Sequence, residues 1–217
     1  MTYIEFVKQQ IEIYEIGVPI HSARIAQQLA REYDLTDQKA LAAVAVATKR
    51  LMDRQLIPDL RAFQKGIYYR TKVTPFGEVK INRERLIAEK YLNPDNGYET
   101  GFRLLNLLGL TTQIAKGRVL ATNIANGYTK TDKELGVVIR PPKVRITADN
   151  KDYLQVLDAL SMLNKAPIDI ENPYDVIAEY VKKKNLKYDK LIAWADRYYD
   201  RETVIGVAHT VTAGEPI

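Results

Sequence analysis

Three stretches of helical periodicity in the first 55 residues, followed at once by a change to strand period around a glycine turn, constrain this chain more than any other feature. From Thr2 to Ile16 the apolar residues Tyr3, Phe6, Val7, Ile11, Ile13 and Tyr14 recur mostly at three and four, and Gly17 and Pro19 close the segment. A second helix opens at Ser22, a residue type suited to an N-cap, with Ile25, Ala26, Leu29 and Ala30 on one face. A third runs from a Thr36 or Asp37 cap to about Gln55, with Leu41, Val44, Thr48, Leu51 and Met52 along a common stripe. The runs RAF and IYYRT then flank Gln64-Lys65-Gly66, as the two strands of a hairpin do. Helix, helix, helix, hairpin is the order of a winged helix-turn-helix, whose third helix enters the major groove while the hairpin lies on the backbone. The fold expected is α+β: an N-terminal winged helix-turn-helix over 1–74, followed by a C-terminal α+β domain over 75–217.

The charge pattern falls on the same elements. The whole chain carries a net charge of +5. Residues 36–72 alone hold Lys39, Lys49, Arg50, Arg54, Arg61, Lys65, Arg70 and Lys72 against Asp37, Asp53 and Asp59, an excess equal to that of the entire sequence. Basic charge localised on one helix and one hairpin is the footprint of a polyanion partner, and double-stranded DNA is the one expected. On the third helix, burial of Leu41, Val44, Thr48 and Leu51 leaves Gln38, Lys39, Ala42, Lys49, Arg50 and Asp53 on or near the other side. Gln38 sits in the first turn, where it can pair with adenine, and Lys39, Lys49, Arg50 and Arg54 suit phosphates. Arg61, Gln64, Lys65 and Arg70 are the expected hairpin contacts. Ala42, Ala43 and Val46 offer little hydrogen bonding, which leaves specificity to thymine methyls and DNA shape.

Beyond the hairpin, TKVTPFGEVKI reads as a connection and Asn82 to Tyr91 as a helix broken by NPDNG. A short apolar helix from Thr100 to Leu108 ends at Gly109, and RVLATN and ELGVVIRPP read as strands separated by the turn-like NGYTKTD. Helices are expected over 151–164, from Pro173 to about Asn185, through Leu191, Trp194 and Tyr198, and from Glu202 to Thr210. Lys182, Lys183 and Lys184 suit the negative end of a helix or an acidic partner. Tyr188, Trp194, Tyr198 and Tyr199 suit a core or an interface.

Several chemistries lack the residues they need. There is no cysteine, and the two histidines, His21 and His209, are too far apart for a local metal motif. No P-loop, dinucleotide fingerprint or Gly-x-Ser-x-Gly elbow occurs, and no Gly-Ser dipeptide that a nucleotidyltransferase would need. Pro58-Asp59 followed by Glu78-Val79-Lys80 matches the spacing of a metal-dependent nuclease, a pattern that charged triplets satisfy often. No enzyme activity and no cofactor are expected. The N-terminus carries acidic residues without an apolar run, and no stretch reaches the length of a membrane span, so a cytoplasmic protein with no membrane partner is the expectation.

The run VAVATKRLMDRQLIPDLRAFQKGIYYRTKVTPFGEVKI resembles the winged-helix region of AbiEi-like antitoxins of bacterial type IV toxin–antitoxin and abortive-infection systems. The residues that carry the resemblance are Arg50-Leu51, Ile57, Gly66-Ile67-Tyr68 and Phe76-Gly77. Further on, LNLLGLTTQ from Leu105 to Gln113 is similar to the Leu-Gly-Leu-Thr-Thr-Gln segment of that family's second domain. The family often has Gly in the turn before Ile57, where this chain has Gln55-Leu56. The resemblance implies a DNA-binding transcriptional repressor that represses its own promoter and counters a nucleotidyltransferase toxin, without stable toxin binding being required. Two alternatives stand beside it: a winged-helix regulator whose C-terminal domain binds a ligand or a protein, and the nuclease.

Overall fold

Residues 1–114 and 116–213 are described in the computed structural model. Helix accounts for 49% of it and strand for 15%, which makes the fold mixed α+β. The chain divides into two compact units, Met1–Leu86 and Ile87–Ile217.

In the first unit α1 (Tyr3–Glu12) opens on a capping box. The Thr2 hydroxyl accepts the Glu5 N–H, and the Glu5 carboxylate accepts the Thr2 N–H at 2.8 Å, which satisfies two otherwise orphaned donors. Strand β1 (Ile20–His21) follows, then α2 (Ser22–Tyr33) and α3 (Asp37–Asp53). Thr36 caps α3 by accepting the Lys39 N–H. Phe6, Val7 and Ile11 of α1 and Ile25 and Leu29 of α2 pack against Ala40, Val44, Ala47 and Leu51 of α3. The buried arc of α3 is thus rotated from the expected stripe. Small Ala40 and Ala47 face the other helices, and Leu41, expected inside, is 47% exposed. After α3 the chain turns at Gln55, which takes a φ of +52°, a conformation glycine adopts with less strain.

Strands β2 (Leu60–Gln64) and β3 (Ile67–Arg70) form the expected hairpin, and β1 adds to it as a third strand in the order β1-β3-β2, all antiparallel. A second, very short hairpin follows, β4 (Val73–Thr74) with β5 (Gly77–Glu78), where the sequence suggested only a connection. This segment belongs to the first unit. The Thr71 hydroxyl donates to Val79 O at 2.7 Å, the Gly17 N–H to Arg70 O at 2.8 Å, and the Asn82 N–H to Gly17 O at 2.7 Å. These bonds carry the break between units to Leu86 rather than Thr74.

Helix α4 (Arg83–Ile87) runs into one π-helical turn, Ala88–Leu92, and together they form the helix expected up to Tyr91. The second unit then builds a four-stranded sheet from β6 (Gly97–Thr100), β7 (Arg118–Thr122), β8 (Lys130–Asp132) and β9 (Val137–Arg140), in the order β6-β7-β9-β8. The β7–β9 pair is parallel and the others antiparallel. Gly97 is required where β6 passes Tyr91: a Cβ there would lie 2.3 Å from Tyr91 O and 2.7 Å from Ala121 O. Between β6 and β7 lies α5 (Phe102–Leu107), and α6 (Lys151–Leu160), α7 (Pro173–Lys183), α8 (Tyr188–Tyr198) and α9 (Arg201–Ala213) complete the unit.

Helix α6 is buried on two sides. Leu154 joins Tyr98, Ala121 and Ile146 on the sheet side, while Val156, Leu157 and Leu160 pack with Ile177, Val181, Leu191, Ala195 and Val207. Asp158 of α6, 2% exposed, is the centre of a buried polar network. Its carboxylate accepts from the Thr100 hydroxyl and the Tyr199 hydroxyl, both at 2.8 Å, and pairs with Arg140. A buried charge with this many partners holds one arrangement of helix against sheet, since each partner removed would leave it uncompensated. Burial pushes the phenols of Tyr98 and Tyr199 well above the ordinary tyrosine range, with the Asp158 charge acting in the same direction.

Candidate nucleic-acid interface

Helix α3 is 17 residues long, about 25 Å at 1.5 Å per residue. Its exposed positions Gln38, Leu41, Ala42, Ala45, Val46, Lys49 and Asp53 recur at three and four and so form one outward face. At 100° per residue, Lys39, Arg50 and Arg54 align along one edge of that face. Lys39, Lys49, Arg50 and Arg54 are all exposed, and among the described residues none of their side chains has an ion-pair or hydrogen-bond partner. Asp53 lies one turn beyond Lys49 on the outward face, so the stretch free of acidic side chains runs from Gln38 to Arg50.

The hairpin tip is fixed to the start of α2. The Ser22 N–H and the Ser22 hydroxyl both donate to Gly66 O, at 2.9 and 3.1 Å. Ser22 therefore does not serve as the expected N-cap, since its hydroxyl is engaged across the sheet; His21 holds that position without a side-chain capping bond. Gly66 has a φ of +77°, and a Cβ on it would stand 3.0 Å from Ser22 Oγ. Lys65 beside it is exposed and without a partner among the described residues, and Gln64 is half-buried where the β2–β3 register shifts.

The other two basic side chains expected on the hairpin lie at its opposite end and are paired with carboxylates. Arg70 donates through Nε to Asp59 Oδ2 at 2.8 Å, pairs through Nη2 with the same oxygen at 2.8 Å, and donates through Nη1 to Glu12 O at 2.8 Å. Arg61 pairs with Glu78 at 3.2 Å and donates to Pro58 O at 2.8 Å. Both cations are paired within the protein, Arg70 largely buried and Arg61 at the surface. The basic residues expected at the site thus sort into two groups. Lys39, Lys49, Arg50, Arg54 and Lys65 are free among the described residues, and Arg61 and Arg70 hold the base of the sheet.

The same pairs bear on the nuclease pattern. Asp59 is held by Arg70 and Glu78 by Arg61, and no group of three or more His, Asp or Glu side chains able to hold a metal occurs among the described residues. The GLTTQ segment forms a latch. The Thr111 and Thr112 hydroxyls donate to Asp169 Oδ2 at 3.1 and 2.7 Å, and the Asp169 N–H donates to Leu110 O at 3.1 Å. Hydrogen bonds from the Thr112 N–H and hydroxyl, with Thr111, hold the Asp169 carboxyl below the ordinary range. Of the lysine cluster at the end of α7, Lys184 pairs with Asp152 at 3.2 Å, and Lys182 and Lys183 are exposed. Of the C-terminal aromatics, Tyr188, Trp194 and Tyr199 are half-buried against the core of the second unit, Tyr188 donating to Thr210 O and Tyr199 to Asp158, and Tyr198 stacks on Trp194.

Sequence reasoning missed Leu41 as a surface residue. Its apolar character matched the buried stripe, and only the tight fit of Ala40 and Ala47 reveals the true phase. No helix among the described residues is long and apolar enough to cross a membrane. Comparison with known proteins finds no matching family profile, no matching curated protein and no matching solved structure.

Proposed function

We propose that the chain is a DNA-binding transcriptional repressor whose first unit is a winged helix-turn-helix, with α3 as the recognition helix and the β2–β3 hairpin as the wing. The observation that carries this reading is the set of partnerless cations Lys39, Lys49, Arg50 and Arg54 on α3 and Lys65 at the hairpin tip. Their number and placement suit phosphates flanking a major groove. The element order α1-β1-α2-α3-β2-β3, with β1 paired to β3, supports the reading independently of charge. The resemblance to AbiEi-like antitoxins extends the proposal to autoregulation of the chain's own operon and to opposition of a nucleotidyltransferase toxin, with the second unit as the antitoxin domain. The deciding experiment is a mobility shift with DNA from immediately upstream of the chain's own reading frame, at several salt concentrations. Binding that does not weaken with salt, or no binding at all, would overturn the proposal.

A second reading has an observation of its own. A cavity of 750 Å³ opens among α7, α8 and α9, lined by Asp175, Glu179, Lys182 and Tyr188 with Ala178 and Val181. This is the size of a small-molecule site and favours a winged-helix regulator that senses a ligand. A nucleotidyltransferase reading frame beside this one supports the antitoxin instead.

A further inference from the structure

The outward face of α3 has an unusual composition for a helix so rich in free cations. At its middle stand Leu41, 47% exposed, and Val46, 51% exposed, with Ala42 and Ala45 exposed between them. Gln38 at one end and Lys49 at the other are the hydrogen-bonding side chains of the stretch. A helix that read guanine would place arginine or lysine donors at the centre of this face, where they could reach O6 and N7. Here the centre offers neither donor nor acceptor. The one apolar group that a base edge presents in the major groove is the 5-methyl of thymine.

We infer that α3 reads thymine methyl groups, with Leu41, Ala42 and Val46 as the specificity-determining contacts and Gln38 pairing with an adjacent adenine. This rests on the DNA-binding reading above and narrows it to sites whose contacted positions are A·T pairs. A second copy of the chain is the competing occupant of an apolar helix face. Charge argues against it: a two-fold contact would bring together two copies of a face that carries Lys49 at its end and Lys39, Arg50 and Arg54 along its edge, with no acidic side chain from Gln38 to Arg50. The polyanion, by contrast, complements every one of those cations.

The test uses the full chain and selection from a random duplex pool, followed by resynthesis of the enriched duplexes with either thymidine or deoxyuridine. Deoxyuridine keeps the pairing edge and the O4 acceptor and lacks only the methyl. Burial of one methyl corresponds to about fourfold in affinity, so two contacted methyls predict roughly a fifteenfold loss in the deoxyuridine duplex. Leu41→Ala and Val46→Ala, both at exposed positions, should shrink that ratio while leaving the salt dependence unchanged. Equal binding of the two duplexes by the unaltered chain overturns the methyl inference and leaves DNA binding intact. Enrichment of no sequence above non-specific binding overturns the methyl inference alone, and no binding to the pool at all overturns both. Self-association that Leu41→Lys abolishes, with DNA affinity unaffected, overturns it in favour of a second copy.

Discussion

Replacing Arg70 with Met and, separately, Lys65 with Met removes the same formal charge from opposite ends of one hairpin, yet the two losses belong to different observables. Arg70 brings two nitrogens to one oxygen of Asp59 and makes a bond to Glu12 O, and the side chains of the pair are only 24% and 29% exposed. A hydrogen bond to a charged group is worth about 1.5–3 kcal/mol, and partial exposure lets water take back some of it. A net loss of about 2 kcal/mol follows, because Asp59 keeps its charge without its cation. In a unit of this size that is a fall in melting temperature of about 10 °C, read by circular dichroism. Lys65 has no partner to lose, and its substitution should leave stability within about 0.5 kcal/mol. Its effect should instead appear in DNA binding, where the slope of log affinity against log salt becomes less negative by about 0.9. An Arg70→Met protein with unchanged melting but a reduced salt slope would refute the division of the basic residues into structural and free.

The remaining expectations are independent of that pair. If all five free cations meet phosphates, the salt slope of the unaltered chain approaches about −4.5, and Lys49→Ala and Arg50→Ala each weaken binding; full affinity in the triple variant with Lys65→Ala would show the interface to be elsewhere. Gln55→Gly relieves a positive φ and should be neutral or stabilising by up to about 1 kcal/mol in urea unfolding, where an exposed turn residue of negative φ changed to glycine loses stability. Asp132 supplies a pH dependence: burial raises its carboxyl, but hydrogen bonds from Lys90, Tyr91 and the Leu135 N–H outweigh this and hold it below the ordinary range. Its contribution is therefore complete above the unfolded carboxylate range and lost as pH falls through the depressed value, and Asp132→Asn should flatten that acid limb of the stability curve. At the alkaline end, Tyr98 and Tyr199 keep their protons above the ordinary tyrosine range, so stability falls as pH rises past it. Absorbance titration should find these two phenols ionising only together with unfolding.

What the sequence made legible was whatever depends on local pattern. The three helices of the first unit and the β2–β3 hairpin follow from periodicity and turn residues, and Thr36 marks the start of α3 by its chemistry. Strands β1, β6 and β8 were not legible. β1 is two residues long, and the Lys130-Thr131-Asp132 run of β8 has no apolar alternation; its place is set by pairing with β9. The roles of the basic residues were hidden for a related reason. Arg70 and Lys65 look alike in a charge count, and what separates them is a carbonyl 58 positions away at Glu12. Leu41 shows the limit of helical phase: Ala40, Val44, Ala47 and Leu51 fit the period as well as the larger residues did, and close packing of small side chains decides between them.

The pair of hydrogen bonds from Ser22 to Gly66 O has a consequence for how a duplex would be measured. With the hairpin tip clasped to the first residue of α2, and α2 packed on α3, the span between Lys65 and the cations of α3 is set before any ligand arrives. On the DNA-binding reading the first unit is then a caliper of fixed opening. It would favour duplexes whose groove already has that width, and stiff sequences of the wrong width would be rejected even with every contacted base in place.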